Sequence, residues 1–188
     1  MACKLSADKK PRKMKKTIPI LLLAILMASC NTETPPREEN REKQKTVSND
    51  TIPKVIGIGG IFFRAKNPQE TKEWYGANLG LAIGDYGSPF EFRNADRPEE
   101  INYLIWSPFK EETDYFEPSK KEFMINYRVQ NIEGLVRKLK ENGVVIVDEI
   151  ETVDYGKFVH IMDPDGNKIE LWEPIDSVLT QMGGETTK

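Results

Sequence analysis

One histidine and one glutamate near the C-terminal end of the chain are the residues best suited to acid–base chemistry. His160 and Glu170 flank the sequence Asp-Pro-Asp-Gly-Asn, whose residue types favour a tight turn. A hairpin with its loop at 163–167 places His160 directly opposite Glu170, although a slip of one residue would separate them. In this register Glu170 is a candidate general base, and His160 is its candidate acid–base partner or orienting group. The alternative for both is a structural hydrogen bond across the hairpin.

The remaining composition excludes several kinds of site. His160 is the single histidine of the 188 residues, and the two cysteines, Cys3 and Cys30, both lie within the first 30 residues. The body of the chain therefore has no multi-histidine metal site, no catalytic thiol and no disulfide scaffold. Beyond residue 30 the chain carries 20 basic and 29 acidic side chains, and this negative balance argues against nucleic acid as a partner.

The elements that must position these residues occur twice along the chain. The segment that begins at Gly60 (GIFFRAKN) can be laid over the one that begins at Met124 (MINYRVQN), and we call the spacing between them the repeat offset. In each copy a strand leads into a helix that begins after an asparagine, a good N-cap, and ends at a glycine. Three extended segments follow each helix, so the order βαβββ is predicted twice, in an α+β fold. The predicted helices are 68–78 and 132–141, and the later strands are 81–86, 89–94, 101–107, 144–150, 157–162 and 168–172.

Two βαβββ units of this size resemble the vicinal oxygen chelate (VOC) superfamily, which includes glyoxalase I, bleomycin-resistance proteins and extradiol dioxygenases. The strongest local similarity is the turn at 163–167 followed by the strand Ile-Glu-Leu. The resemblance implies paired modules at about 54–109 and 123–175, joined by a linker at 110–122. Together they would form a glyoxalase-like curved sheet with a concave cup that binds a small organic molecule. The superfamily supports many chemistries, so the fold alone does not name the function.

Alternation along the strands predicts which side chains face this cup. The more apolar set, which includes Ile61 and Tyr127, is expected to pack under the helices. The mixed set is expected to face the cup and supplies the candidate ligand-binding residues Phe62, Arg64, Trp106, Met124, Asn126, Arg128 and Trp172. The arginines in this set suit a carboxylate or phosphate, and the aromatic rings suit a planar ligand. Packing and surface solvation are the alternatives for the same residues.

Metal-dependent members of the superfamily bind one divalent ion, and the resemblance places the ligand positions at Gly60, Trp106, Met124 and Glu170. Trp106 is assigned from Glu170 by the repeat offset. Glycine and tryptophan offer no ligand atom, and a thioether suits neither hard nor borderline ions, so only Glu170 is competent. We therefore expect no cofactor. A divalent metal held by His160, Glu170 and a further oxygen is the alternative.

The first thirty residues have the pattern of an export signal. Residues 14–30 (MKKTIPILLLAILMASC) contain a charged start, a short apolar run and two small residues before Cys30. The run is shorter than the ~20 residues that span a bilayer, and it fits a secretory signal whose natural start is Met14. Its ending resembles the lipobox of bacterial lipoproteins, which implies lipidation of Cys30 and a membrane anchor in the cell envelope. An ordinary cleaved signal is the alternative. Residues 31–53 are predicted to be a disordered tether, and 176–188 a flexible tail.

Three functions remain open at this point. The first is a metal-independent module that binds a small molecule, as in the bleomycin-resistance branch, whose cup is shared between two chains and which therefore implies a homodimer. The second is a lyase or isomerase of the glyoxalase type that uses Glu170 as general base or as its remaining metal ligand. The third is an interaction protein whose cup is vestigial. The linker at 110–122 is either a plain connection or a lid over the cup.

Overall fold

The computed structural model describes residues 52–188, so the signal segment, Cys30 and nearly all of the predicted tether lie outside the described residues. The bounds of the strands and helices are β1 Lys54–Ala65, α1 Pro68–Leu79, β2 Ser88–Arg93, β3 Ile101–Lys110, β4 Phe123–Gln130, α2 Ile132–Glu141, β5 Val145–Ile146, β6 Glu151–Val153, β7 Gly156–Met162, β8 Lys168–Pro174 and α3 Asp176–Met182. Within this part of the chain no helix is long and apolar enough to cross a membrane.

The strands form one curved, mixed sheet in the order β2-β3-β1-β4-β8-β7-β5, with β6 also paired to β7. The two halves of the sheet repeat one pattern. In the first, β1 is parallel to β3, and β3 is antiparallel to β2. In the second, β4 is parallel to β8, and β8 is antiparallel to β7. The antiparallel pair β1–β4 joins the halves at the centre. The α+β fold built from two related modules, as predicted from the sequence, is therefore confirmed.

Both main helices begin where their asparagines predict. The side chain of Asn67 accepts a hydrogen bond from the backbone of Glu70 at 3.3 Å, and that of Asn131 accepts one from Gly134 at 3.0 Å. The helix α2 is amphipathic and packs its apolar face against β4, β7 and β8. The buried core on this side consists of Val129, Ile132, Leu135, Val136, Val159, Ile161 and Leu171. By contrast, α1 has no buried residue, and its Tyr75 ring lies against the sheet.

The strands differ from the prediction in two places. The segment 81–86 contains only an isolated bridge between Gly84 and Gly87, so the first module has the order βαββ. Gly87 has a φ of 126°, a backbone conformation that belongs to a turn rather than to a strand. The segment 144–150 contains the two-residue strand β5 alone, and the short β6 follows it. Apolar residues in these segments therefore overstated the length of regular pairing, and none of them is fully buried; Tyr86 and Val145 are exposed.

The prediction of a flexible tail at 176–188 is wrong. The tail contains α3, and Thr187 then lies along the outer edge of β2. The backbone of Thr187 donates to the carbonyl of Pro89 at 2.8 Å, and its hydroxyl lies 2.8 Å from that of Ser88 and accepts from the backbone of Ala82 at 2.8 Å. Composition predicts disorder from a shortage of apolar residues, whereas this segment is held by hydrogen bonds to an edge strand.

Candidate functional site

The predicted pair of acid–base residues meets in the cup as the hairpin register requires. His160 is opposite Glu170 in the β7–β8 ladder, and the Nε2 atom of His160 lies 3.0 Å from Oε2 of Glu170. The Glu170 side chain is 2% exposed and has two further partners. The Nδ2 atom of Asn126 donates to Oε1 at 2.5 Å, and the phenol of Tyr115 donates to Oε2. Glu170 is thus a buried carboxylate surrounded by three polar neighbours.

A second carboxylate continues this arrangement toward the surface. Oδ2 of Asp148 lies 2.6 Å from Nδ1 of His160, and Oδ1 of Asp148 accepts from the backbone of His160 at 2.8 Å. The Asp148 side chain is 42% exposed, so the imidazole connects a solvent-accessible carboxylate with the buried Glu170. Burial lowers the pKa of His160, but the hydrogen bond and charge of Glu170 and the hydrogen bond of Asp148 outweigh it, and the pKa lies above its ordinary value. The arrangement can hold and relay a proton.

Tyr115 belongs to the linker between the modules, which we call the strap and define as residues 111–122. Its ring stacks on Phe109 with centroids 5.2 Å apart and planes 6° apart. The same ring meets His160 edge-on at 5.6 Å. Burial and the negative charge of Glu170 raise the pKa of Tyr115 well above its ordinary value, so the phenol stays protonated and acts as the donor. The strap therefore lies over the cup as a lid, which was one of the two alternatives for this segment.

Several contacts hold the strap in place. The hydroxyl of Ser119 donates to the carbonyl of Gly166 at 2.7 Å, and Nζ of Lys168 donates to the carbonyl of Tyr115 at 2.7 Å. Arg64 donates to the carbonyl of Glu111 at the start of the strap. Burial lowers the pKa of Lys168, and nearby carboxylates oppose that effect. The strap is thus attached at its beginning, middle and end.

A strap residue also fills the apolar side of the cup. Phe116 is 1% exposed and clusters with the buried side chains of Phe62 and Met124. The guanidinium of Arg64 lies 5.2 Å from the centroid of the Phe116 ring, a favourable cation–π geometry. Phe62, Arg64 and Met124 are therefore in the cup as predicted, where their direct partner is the strap.

Trp106 does not line the cup, and that prediction is wrong. In the parallel β1–β3 register Trp106 pairs with Ile61, while Gly60 pairs with Ile105. The Trp106 ring lies 4.5 Å from Tyr75 of α1, which places it on the helix-covered face. In β3 the repeat offset points one residue too far along the chain, and a shift of one residue in a strand moves every side chain to the opposite face. The cup position is Ile105, which has no ligand atom.

Arg128 lies in the cup but binds within the chain. Its side chain is 2% exposed, pairs with Asp176 at the start of α3 and donates to the carbonyl of Tyr103 at 3.1 Å. Its guanidinium also lies 5.2 Å from the Trp172 ring, which in turn stacks on Phe158 at 5.7 Å. These two predicted ligand-binding residues, Arg128 and Trp172, thus form a packed end of the cup.

A row of glycines in β1 makes room for these side chains. A Cβ atom at Gly59 would overlap Oδ1 of Asn126 and would stand 2.8 Å from the Trp172 ring and 2.9 Å from Cγ of Arg128. At Gly57 the nearest atom, Cδ of Arg128, is 3.7 Å from such a Cβ atom. Side chains from β4 and β8 therefore cross β1 where it has no side chain, and this close approach is why Gly59 is a glycine.

Sequence reasoning did not assign roles to Tyr115, Asp148, Lys168 or Asp176. Tyr115 lies in the strap, where alternation gives no information about direction, and Asp148 lies in a predicted strand that the structure replaces by a short strand and a loop. Asp176 lies in the segment predicted to be a flexible tail. The available signal was the pair of aromatic residues within the otherwise polar strap, since exposed linkers seldom contain adjacent rings without a partner.

A separate cleft of about 670 Å³ opens beside α3 and the end of β8. It contacts the outer side of the Arg128–Asp176 pair rather than the Glu170 cluster. Its lining combines acidic and basic side chains with a few apolar ones, among them Ile56, Arg97, Glu99, Ile101, Glu173 and Thr180.

The curved sheet of paired modules and the cup beneath it define a glyoxalase-type fold. The model of the Glyoxalase/Bleomycin resistance protein/Dioxygenase superfamily matches residues 57–171, and the chain belongs to this superfamily. Its members are enzymes or small-molecule binders. No curated protein matches the chain significantly.

Several solved structures are similar to the chain at low sequence identity. One is a methylmalonyl-CoA epimerase of Streptomyces coelicolor in complex with 2-nitronate-propionyl-CoA, at 12% identity and a TM-score of 0.50, covering 65% of this chain and 99% of that one. Another is a methylmalonyl-CoA epimerase of Mycobacterium tuberculosis, at 20% identity and a TM-score of 0.45, covering 67% and 93%. A third is a member of the same superfamily from Vibrio splendidus 12B01, at 14% identity and a TM-score of 0.41, covering 64% of this chain and 98% of that one.

Proposed function

We propose that this protein is an envelope-anchored VOC-superfamily binding module that takes up a small organic molecule in its cup without a metal. The observation that carries the proposal is the buried polar cluster around Glu170 beneath a strap that supplies one of its partners. A site of this kind offers a ligand both hydrogen bonds and an apolar wall, which is the usual composition of a small-molecule site.

The donor set argues against a metal at the family position. Of the residues that face the cup there, Gly60, Ile105 and Met124 supply no oxygen or nitrogen side-chain ligand, and Glu170 stands alone. One carboxylate does not make a divalent site, and the Phe116 ring fills the adjacent space. We therefore propose a degenerate metal site whose remaining carboxylate serves ligand recognition.

The polar cluster also argues against a purely vestigial cup. A cup filled by its own side chains favours an interaction protein, and Phe116 does fill part of it. However, Glu170 and His160 are buried together, and replacing such a buried pair by apolar residues is often neutral or stabilising. Retaining a carboxylate, an imidazole and the amide of Asn126 at this depth therefore supports a role beyond packing.

The direct test is a thermal-shift screen of the full chain against small organic molecules and, separately, against Mn²⁺, Fe²⁺, Ni²⁺ and Zn²⁺. We expect organic compounds that raise the melting temperature of the wild type and lose that effect in Glu170→Gln. The matched control is Glu151→Gln, which changes an exposed carboxylate on β6. A rise in melting temperature at micromolar concentrations of a divalent ion, absent in Glu170→Gln, would contradict the metal-free proposal.

An isomerase or lyase is the second candidate, and the Asp148–His160–Glu170 arrangement favours it. Such an enzyme would move a carbon-bound proton of its ligand to Glu170 and return a proton from solvent. Each compound found by the screen can be incubated with the protein in D₂O and followed by proton NMR. Deuterium incorporation that is lost in Glu170→Gln would establish catalysis, and its absence for every bound compound would favour the binding module.

The anchoring part of the proposal depends on Cys30 alone. If Cys30 is lipidated, the protein partitions with membranes on expression in a bacterium, and Cys30→Ala releases it. Cys3→Ala is the matched control and is expected to change nothing. Membrane partitioning that persists in Cys30→Ala would remove the anchor from the proposal.

The Glu170 cluster is complete within one chain, so the proposed binding does not require a second copy. A homodimer stays a prediction, and light scattering of the purified protein is the measurement that checks it.

A further inference from the structure

The strap indicates which chemistry the cup accepts. A ligand reaches the buried carboxylate of Glu170 only when the Tyr115 phenol leaves it, because that phenol already donates to Oε2. We propose that the ligand is a neutral phenol, an aromatic ring bearing one hydroxyl donor, which takes the place of the Tyr115 ring. The inference rests on the proposed function, since it names the ligand class for the same cup.

The subsite is defined on several sides of the ring. One face stacks on Phe109 at 5.2 Å, the edge meets His160 at 5.6 Å, and Nζ of Lys168 lies 5.3 Å from the ring centroid. The hydroxyl donates to Glu170. All four contacts are made by the ring and its hydroxyl rather than by the backbone of Tyr115, so a free phenol can reproduce them.

The hydroxyl is required by what surrounds Glu170. When Tyr115 moves away, the carboxylate keeps His160 and Asn126 but loses its third donor. A ligand without an O–H group would leave Oε2 of Glu170 with His160 as its one remaining donor. The loss of a hydrogen bond in a buried site discriminates strongly against such a ligand. An anionic ring such as benzoate would instead place its charge against the carboxylate of Glu170. The site therefore selects a neutral donor over both an ether and an anion.

The position of Tyr115 also indicates which phenols fit. The side chain is 37% exposed, and its Cβ atom leaves the ring at the para position toward the strap. A para substituent on a free phenol would extend to where Cβ of Tyr115 now joins the ring to the strap. Para-alkyl phenols are therefore the natural probes, and 4-methylphenol reproduces the Tyr115 side chain atom for atom beyond Cα.

In the wild type the ligand must compete with a ring that is tethered beside the site. A short tether gives an effective concentration of roughly millimolar or higher, so a free phenol binds the wild type weakly. Removing the internal ring in Tyr115→Ala takes away this competition. We expect 4-methylphenol to bind Tyr115→Ala at least about tenfold more tightly than it binds the wild type. Tyr86→Ala is the matched control, because Tyr86 is 87% exposed and lies beside β2 in the first module.

Calorimetric titration with three probes tests the chemistry. In Tyr115→Ala, 4-methylphenol should bind at least about tenfold more tightly than 4-methylanisole, which has the same ring without the donor, and benzoate should not bind. Equal binding of the phenol and its ether would overturn the inference, because it would show only an apolar hole. Absence of phenol binding would overturn it as well. If Tyr115→Ala does not fold, Tyr115→Phe removes the hydrogen bond that holds the internal ring at Glu170 but leaves a competing ring. 4-Methylphenol should then bind Tyr115→Phe more tightly than it binds the wild type, and more tightly than 4-methylanisole binds the same variant.

A second measurement follows the strap in the wild type. The backbone on either side of Lys120 and Lys121 is held by the hydrogen bonds from Ser119 to Gly166 and from Arg64 to Glu122, so faster trypsin cleavage at these lysines reports release of the strap. Millimolar 4-methylphenol should accelerate cleavage at this site, identified by fragment mass, while 4-methylanisole should not. If neither probe changes the rate although unrelated compounds bind in a Glu170-dependent manner, the phenol inference fails and the binding function stands. If no compound of any class binds, both fail.

Discussion

Substitution of Gly59 by alanine is expected to destabilise the protein by about 1–3 kcal/mol, the usual range for overpacking a well-packed core. The added Cβ atom would overlap Oδ1 of Asn126 and would stand 2.8 Å from the Trp172 ring and 2.9 Å from Cγ of Arg128. All three side chains are buried, and Asn126 and Arg128 are also held by hydrogen bonds to Glu170 and Asp176, so they cannot move aside freely. Gly59 has no positive φ, so the backbone itself accepts alanine and the effect isolates the contact.

Gly57→Ala is the matched control two positions earlier in the same strand. Its new Cβ atom would meet Cδ of Arg128 at 3.7 Å, an ordinary contact. Because glycine within a strand is less favourable than alanine by about 0.5–1 kcal/mol, this variant is expected to be neutral or slightly more stable. Urea unfolding followed by tryptophan fluorescence gives both free energies. Equal effects of the two substitutions would refute the account of side chains crossing β1 at Gly59.

Three further predictions concern the buried polar and apolar partners. The pKa of His160 is raised in the folded protein, so it contributes stability that is complete below the unfolded pKa of about 6.5 and is lost as pH rises through the folded pKa. In urea titrations the wild type should therefore lose more stability between pH 6 and 8 than His160→Gln does. Asp176→Ala removes the ionic partner of the buried Arg128 and should lower the free energy of unfolding by about 3 kcal/mol. The double variant that adds Arg128→Met should recover part of this loss. Fully additive effects of the two substitutions would argue against a stabilising ion pair. Phe116→Ala should cost about 3–5 kcal/mol by the same assay, and a loss below about 1 kcal/mol would show that the strap is not packed.

Local patterns predicted the parts of the fold that local physics determines. The turn at 163–167 determines the register of β7 and β8, and this register brings His160 to Glu170. The asparagines at 67 and 131 begin their helices because a side-chain oxygen satisfies a free backbone N–H. In both cases the determining residues lie close in the sequence to what they position, so a single sequence contains the necessary information.

The position of Trp106 was not predictable in the same way. Its face depends on how β3 aligns with β1, and those strands are separated by α1, an irregular segment and β2. The repeat offset holds at β4 but is shifted by one residue at β3, where Ile105 rather than Trp106 faces the cup. Sequence alternation defines two faces of a strand but does not say which one meets the cup.

The strap shows a further limit, and it also explains the organisation of the site. Tyr115 reaches a carboxylate 55 positions away, through a segment with neither helical nor strand periodicity. What the sequence does contain is a conflict: Glu170 and His160 point into a cup whose metal positions have no other ligands. A buried carboxylate in that situation needs donors from elsewhere, since an unpaired one is far more costly than the hydrogen bonds that satisfy it. Tyr115 supplies such a donor, so the requirement that stabilises the closed cup is the same one that the proposed phenolic ligand would meet.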